Sequence, residues 1–179
     1  MARPRTITDE RLLSALGTAI GEHGPSFTVA DVAAVAGVSV GTVSQRFGSK
    51  HGLLKALSRT AVDQVRAQVR AAPDLRTAIL EVFRALDDSS TAANHLGQLA
   101  IDLSDPELRD LHGEFFAAFE AELAIHARGV PGAPPTAARI LVCLANGTAI
   151  SWSVRPSGGL LDRLAADIDA VLKGWQDNG

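Results

Sequence analysis

Apolar residues recur at intervals of three and four along almost the whole chain, and the strict alternation of a half-buried strand is nearly absent. In the first such segment, Leu12, Leu16 and Ile20 fall on one face of a helix from about Thr8 to Glu22. The same spacing continues, with interruptions, to the end of the chain. It predicts an all-α fold of about nine helices.

Glycines divide the first part of the chain into short helices. Gly24 ends the first helix, and Gly37 makes the turn between a second helix that starts near Thr28 and a third that reaches Phe47. After Gly48 a fourth helix runs to about Ala71. Longer helices are predicted at about Leu75–Asp88, Thr91–Leu103, Pro106–Arg128, Thr136–Val154 and Gly159–Gln176.

The charge differs between the two parts of the chain. Residues 1–60, called the head below, contain seven basic and four acidic residues, a net charge of +3. Residues 61–179, the body, contain ten basic and sixteen acidic residues, a net charge of −6. This asymmetry favours a head that faces phosphates, although a solvated charged surface gives the same count.

Catalytic and metal sites find no support in the sequence. The one cysteine, Cys143, excludes an internal disulfide and lies in the most apolar stretch, so it is expected to be a buried core thiol. The five histidines have no zinc-binding spacing, and no phosphate-loop, dinucleotide-binding or nucleophile-elbow motif is present. We expect no catalytic residue, no metal and no cofactor, and predict that the protein is not an enzyme.

No membrane segment is expected either. The longest uninterrupted apolar run is Ile140–Ala145, far shorter than the roughly 20 residues of a membrane-spanning helix. The opening Met-Ala-Arg-Pro-Arg leads into a charged segment and lacks the apolar stretch of a signal peptide. These features predict a cytoplasmic protein without a membrane partner.

The strongest functional signal lies in residues 28–47. Two short helices are joined at Gly37, and Ser39 is placed to cap the second helix. Val32, Val43 and Phe47 have the spacing to pack these helices together. The pair is typical of a helix-turn-helix, whose second helix can enter the major groove of DNA. A turn at a glycine is common in helical proteins, but here a basic N-terminal arm and a capped following helix accompany it.

Residues 8–57 resemble the DNA-binding region of the TetR family of transcriptional regulators. The resemblance is carried by Phe27-Thr28, Val32-Ala33, Ala36-Gly37-Val38-Ser39, Gly41-Thr42, Phe47, Ser49-Lys50 and Leu53-Leu54. It implies a three-helix helix-turn-helix head, residues 1–60, followed by a six-helix body, residues 61–179, for ligand binding and dimerisation. In the body the resemblance is architectural only.

The resemblance also implies which residues contact double-stranded DNA. Thr28, Thr42 and Lys50 would contact phosphates. Base contacts would fall to Val40, Gly41, Ser44, Gln45 and Arg46. Glycine at 41 would let the backbone approach a phosphate at the helix N-terminus.

Two positions depart from the family pattern. The family commonly has an aromatic residue, often Tyr, at position 44 and His or Tyr at position 46, where this chain has Ser44 and Arg46. Arg46 can pair with a guanine edge or with a phosphate, and both roles stay open. We expect Arg46 and Lys50 to be exposed. Arg3 and Arg5 are expected to add phosphate or minor-groove contacts from a mobile arm.

The body offers apolar helices with a few polar groups, which suits a small-molecule pocket as well as a filled core. By analogy with the family, the pocket is predicted to hold an apolar effector. The predicted lining residues are Phe83, His95, Leu99, Phe115, Phe119, Asn146 and Trp152.

The last helix carries an apolar stripe that needs a partner. We predict that the helices at 136–154 and 159–176 form a four-helix interface with a second copy. The predicted interface residues are Leu161, Leu164, Ile168 and Leu172. Such a dimer would set two recognition helices about one or more DNA turns apart, on a near-palindromic operator.

Three functions remain open at this stage. The favoured one is a homodimeric repressor released from its operator by a small molecule, with the fourth helix as the element that touches both head and body. A DNA-binding regulator without a small-molecule ligand is the second. A helical enzyme or binding module with a relic helix-turn-helix is the third.

Overall fold

The computed structural model describes residues 7–177, and within them it contains nine α-helices, two short 3-10 helices and no strand. The α-helices are α1 (Asp9–His23), α2 (Val29–Ala36), α3 (Val40–Phe47), α4 (Lys50–Ala71), α5 (Leu75–Phe83), α6 (Ala92–Asp102), α7 (Pro106–Ala127), α8 (Ala137–Val154) and α9 (Leu160–Gln176). The 3-10 segments are Gly24–Ser26 and Arg84–Leu86. The predicted all-α fold is confirmed. The helix expected at 75–88 is shorter, because its last turn tightens to 3-10 geometry.

Side-chain caps fix the starts of the first four helices. The hydroxyl oxygens of Thr8, Thr28, Ser39 and Ser49 each accept a hydrogen bond from the backbone N–H three residues on. Gly37 ends α2 in the left-handed region, at φ 69°, which favours glycine. Short polar residues and one glycine therefore determine where the helix-turn-helix begins, turns and ends.

The head is built around a core of its own, to which the body contributes. Leu12, Leu16 and Val43 are fully buried there, and α1 packs closely on α2. Leu108 and Leu111, from the start of α7, belong to the same apolar cluster. The head therefore rests on the body through a continuous apolar contact.

Helix α4 joins the two cores. Its first turns place Leu53 in the head core, whereas Val65 and Val69 lie in the body core. Farther along, Arg70 donates two hydrogen bonds to the carboxylate of Glu122 on α7, at 2.7 and 2.5 Å. The division between head and body predicted near residue 60 thus falls inside one continuous helix.

The predicted buried thiol is wrong, because Cys143 is exposed. It lies on a face of α8 that also exposes Ile140, Ile150 and Val154, the last with 69% of its surface accessible. The opposite face of α8 carries the buried residues, including Leu141 at 0% exposure. The run around Cys143 is apolar because α8 is apolar on both sides, so composition alone could not show which side Cys143 faces.

Two of the predicted dimer-interface residues lie inside a single chain instead of at its surface. Leu164 and Ile168 are fully buried in the core of a single chain, so they cannot meet a second copy. The stripe on α9 finds its partner within the chain, where α9 packs on α5 and α8. Leu161 and Leu172 lie at the edge of that core and are partly exposed.

By length and composition α8 could also cross a membrane, contrary to the expectation from the longest apolar run. In the described part of the chain it is the single helix with this property, and 44% of it is buried inside the fold. The core helix of a globular protein passes the same test, and Trp152 of α8 is packed in the body core.

Candidate nucleic-acid interface and ligand cavity

Helix α3 exposes a continuous surface between its cap and its last turn. Val43 is fully buried against the head core, and Phe47 packs on that core. On the other side Val40 is 46% exposed, and Gly41, Gln45 and Arg46 are exposed as well. Thr42 and Ser44 are partly exposed between them. The predicted contact residues on α3 therefore share one accessible surface.

Arg46 is exposed, as expected, but its guanidinium is paired. Its Nη1 donates to the Asp9 carboxylate on α1 at 2.5 Å, with the Asp9 side chain 60% exposed. Exposed pairs of this kind contribute about 1 kcal/mol or less. Arg46 can exchange Asp9 for a DNA group at small cost.

The expectation of an exposed Lys50 is wrong. The Nζ of Lys50 donates to the carbonyl oxygens of Pro25 and Phe27, at 2.6 and 2.8 Å, and lies 4.0 Å from the centre of the Phe27 ring. Partial burial lowers the pKa of Lys50, while the carboxylates of Asp102 and Asp31 oppose that shift. Lys50 ties the segment before α2 to the start of α4.

Thr28 serves as the cap of α2. Its hydroxyl donates to Asp31 Oδ2 at 2.8 Å and accepts from the Asp31 backbone N–H, and Asp31 in turn accepts from the Thr28 N–H at 2.7 Å. These bonds lower the pKa of Asp31. The hydroxyl proton of Thr28 is therefore already donated within the head. Arg3 and Arg5 lie outside the described residues.

A cavity of about 250 Å³ lies where the head meets the body. Its wall includes Ile20 of α1 and Leu57 of α4 together with residues of α5, α6, α7, α8 and α9. The wall contains four of the seven predicted pocket residues, Phe83, His95, Leu99 and Asn146.

The other three predicted pocket residues lie elsewhere. Phe119 is fully buried in the body core, and Phe115 packs beside it with ring centres 6.2 Å apart. Trp152 is also buried, and its indole N–H donates to the Gly158 carbonyl at 3.1 Å. These aromatic side chains pack in the body core and are not part of the cavity wall.

One corner of the cavity is polar, and none of its three members is among the predicted pocket residues. Gln98 and Asp102, one turn apart on α6, are 3% and 6% exposed, and Gln98 Nε2 donates to Asp102 Oδ1 at 2.6 Å. His112 Nε2, from α7, lies 3.5 Å from Asp102 Oδ2. Gln98 Oε1 and His112 Nε2 are buried without a hydrogen-bond partner in the described structure. The sequence shows that Gln98 and Asp102 share one face of a helix, but it does not show that this face lines a cavity.

Helix α6 connects this cavity to the head. Asn94 Nδ2 donates to the Gly21 carbonyl at the end of α1, at 2.8 Å. A Cβ added at Gly97 would touch the Pro25 ring at 3.4 Å, so α6 lies directly on the turn that follows α1. The fourth helix is therefore not the only element that touches both head and body.

Comparisons with known proteins agree with this architecture. Residues 12–57 match the family model for bacterial regulatory proteins of the tetR family. A search of curated protein sequences gave no match.

Solved structures extend the likeness to nearly the whole chain. A transcriptional regulator from Rhodococcus sp. Rha1 is 26% identical, with 94% of this chain and 97% of that chain covered and a TM-score of 0.68. SmeT, the repressor of the Stenotrophomonas maltophilia multidrug efflux pump SmeDEF, is 22% identical over 94% of this chain and 90% of its own, with a TM-score of 0.62.

A third similar structure was solved with a ligand. The multidrug binding protein EbrR, complexed with malachite green, is 23% identical over 97% of this chain and 98% of its own, with a TM-score of 0.63. At these identities SmeT and EbrR share the fold. Residues 12–57 therefore carry the helix-turn-helix of the tetR family, and the chain as a whole has the fold of TetR-family transcriptional regulators.

Proposed function

We propose that the protein is a cytoplasmic homodimeric repressor that leaves a near-palindromic operator when an apolar small molecule occupies the cavity between head and body. The observation that carries the proposal is the position of that cavity. Its wall joins Ile20 and Leu57, which belong to helices of the head, to α6 and α8 of the body. A molecule bound there contacts both parts and can favour one arrangement of them.

The DNA-binding surface is assigned to the exposed side of α3. Gly41 supports this assignment, because a Cβ built there would meet only Ser39 Oγ, at an ordinary 3.6 Å. The chain itself therefore does not require glycine at this position, whereas close approach of a phosphate does. Gln45 and Arg46 carry the groups that can pair with adenine and guanine edges.

The dimer interface is assigned to the exposed apolar face of α8 rather than to the buried stripe of α9. Ile140, Ile150 and Val154 recur along this face, and a Cβ at Gly147 would meet nothing within 4 Å. Leu161 and Leu172 of α9 can extend the contact at its edge. Two copies joined through these faces would form the symmetric four-helix arrangement expected from the sequence.

Release from DNA is assigned to α4 and α6 together. Helix α4 runs from the head core into the body core, and α6 lines the cavity and bonds to the end of α1. A ligand that prefers one position of these helices changes the spacing of the two recognition helices. DNA and ligand then oppose each other to the same degree.

Two of the similar proteins support this direction of regulation. SmeT is described as the repressor of an efflux pump, and EbrR as a multidrug binding protein. Repression and small-molecule binding therefore both occur on this fold.

The test of DNA binding uses DNA from upstream of the protein's own gene and fluorescence anisotropy at several salt concentrations. Arg46→Ala should cost about 1–3 kcal/mol and relax specificity at one base pair if Arg46 reads guanine. If Arg46 contacts a phosphate, the loss is uniform across sequences and the salt slope falls by about one ion. Arg128→Ala, in the body, is the matched control. Unchanged affinity of the Arg46 variant would contradict the α3 assignment.

Asp9, the ion-pair partner of Arg46, provides a second variant whose expected effect on DNA affinity is opposite. Asp9→Asn releases the Arg46 guanidinium and removes a negative charge beside α3. We therefore expect it to raise affinity for DNA, opposite to Arg46→Ala. A fall in affinity would show that Asp9 positions Arg46 for DNA.

Release is tested by a small-molecule screen for thermal stabilisation, followed by DNA titration with each hit. A hit that stabilises the protein and lowers DNA affinity supports the proposal. A hit that stabilises the protein and leaves DNA affinity unchanged contradicts release and favours a regulator controlled in another way.

A further inference from the structure

We infer that the cavity binds an apolar molecule carrying one protonated amine, with the ammonium group in the corner formed by Gln98, Asp102 and His112. This inference rests on the ligand site of the proposed function and specifies its chemistry. Three features of the cavity lead to it: an acceptor without a donor, a buried carboxylate and an apolar remainder.

The acceptor is Gln98 Oε1. The side chain is 3% exposed, its Nε2 is committed to Asp102, and its carbonyl oxygen receives no hydrogen bond in the described structure. A buried amide oxygen left without a donor has lost its hydrogen bonds to water and gained none in return, which destabilises the protein. A ligand that supplies an N–H recovers this energy.

The carboxylate of Asp102 sets the preferred charge. Asp102 is the one acidic residue of the cavity wall, which contains no lysine or arginine. Lys50, whose charge acts on Asp102, is held by the Pro25 and Phe27 carbonyls and is not part of the wall. Burial lowers the pKa of His95, which keeps this wall residue neutral at pH 7 despite the nearby Asp88 carboxylate.

His112 adds a third group to the same corner. Its Nε2 is buried and unpartnered, 3.5 Å from Asp102 Oδ2. With a proton on Nε2, His112 faces the Asp102 carboxylate as a donor and closes this side of the corner. A primary ammonium has three N–H donors, and Gln98 Oε1 and the Asp102 carboxylate can accept two of them.

The rest of the wall is mostly apolar, so apart from its amine the ligand must be small and apolar. Leucine, isoleucine, alanine and phenylalanine side chains form most of it, including Leu57, Phe83 and Leu99. A volume of about 250 Å³ lies just below the roughly 300–1,000 Å³ of sites for drug-sized ligands. The site therefore fits a compact aryl-alkyl or alkyl amine.

The test compares four molecules that share a phenyl ring on an alkyl chain and differ at the end of that chain: 4-phenylbutylamine, 4-phenylbutanol, 4-phenylbutyrate and butylbenzene. Calorimetric titration of the full chain at pH 7 measures their affinities. We expect the amine to bind about tenfold more tightly than the alcohol, because a hydrogen bond between charged groups is stronger than one made by a neutral hydroxyl. The carboxylate should bind most weakly. Equal affinities, or tightest binding of the carboxylate, would overturn the inference.

Variants then locate the amine. Asp102→Asn keeps the shape and removes the charge, so the preference for the amine over the alcohol should disappear. Asp110→Asn, the same change on the exposed surface of α7, should keep the preference. Gln98→Met should also weaken amine binding. This second variant keeps the inference testable if Asp102→Asn fails to fold by circular dichroism. A retained preference in the folded corner variants would overturn the inference.

A separate DNA titration distinguishes this inference from the proposed release. An amine that binds through Asp102 and leaves DNA affinity unchanged supports the ligand assignment and contradicts release. A different ligand that releases DNA without using this corner supports release and contradicts the ligand assignment.

Discussion

The head and the body are both helical, but different interactions specify them. In the head, four hydroxyl caps and a left-handed glycine fix the helix boundaries, and most of these signals act within three residues. In the body, long helices pack on one another, and residues such as Leu123, Leu141 and Ile168 are fully buried between them. A local signal can be located from sequence, whereas a packing partner cannot.

The largest effect should come from a body residue that was predicted to lie in the interface between two copies. Ile168→Ala creates a cavity in the core and should lower the free energy of unfolding by about 2–5 kcal/mol. Urea unfolding followed by circular dichroism measures it. Ile125→Ala is the matched control, since Ile125 is 57% exposed, and it should change stability by about 0.5 kcal/mol or less. Similar losses in both variants would contradict the burial of α9 within one chain.

The next prediction separates the two apolar faces of the body. Ile140→Glu combined with Val154→Glu places charges on the exposed face of α8, and like charges in an interface cost several kcal/mol. We expect a folded monomer by light scattering, with greatly reduced DNA affinity. Ile125→Glu, on α7, should leave the dimer intact. A double variant that stays dimeric would move the interface away from α8.

The head was more predictable from its sequence than the body, for the same reason. In the head, the cap at Ser39 and the packing of Val43 could be predicted, because hydrogen-bonding type and helical spacing determine them locally, whereas the capping role of Thr28 was not predicted. In the body, the spacing of Ile168 and Phe119 indicated apolar helix faces, and both residues are fully buried. The spacing could not show whether such a face meets the same chain, a second copy or a ligand.

The candidate sites show the same limit. The exposed side of α3 could be predicted from spacing within eight residues. The ion pair of Arg46 with Asp9 and the bonds of Lys50 to Pro25 and Phe27 join residues 23 to 37 positions apart, so no local pattern reports them. The polar corner of the cavity likewise depends on how α6 and α7 meet.

Two helical glycines allow a direct comparison of head and body. At Gly52, in α4, an added Cβ would lie 1.8 Å from the backbone oxygen of Phe47, so α3 and α4 could not keep their contact. Gly52→Ala should cost about 1–3 kcal/mol, as other overpacking substitutions do. At Gly113, in α7, the same Cβ meets nothing within 4 Å, and Gly113→Ala should stabilise the helix by up to about 1 kcal/mol. Thermal unfolding measures both, and changes of the same sign would contradict the comparison.

The smallest effect concerns His95, which lies where head and body meet. Burial lowers the pKa of His95 from its ordinary 6.5, and Asp88 only partly opposes this shift. The unfolded chain therefore takes up a proton near pH 6.5 that the folded chain does not, so stability from this residue is complete above that pH and falls as the pH drops below it. His95→Gln should flatten the fall in unfolding free energy between pH 7 and pH 5, by less than one proton. The other histidines are present in both proteins, so the difference between their urea midpoints isolates His95. Parallel pH profiles of the two proteins would show that His95 is as easily protonated in the fold as in the unfolded chain.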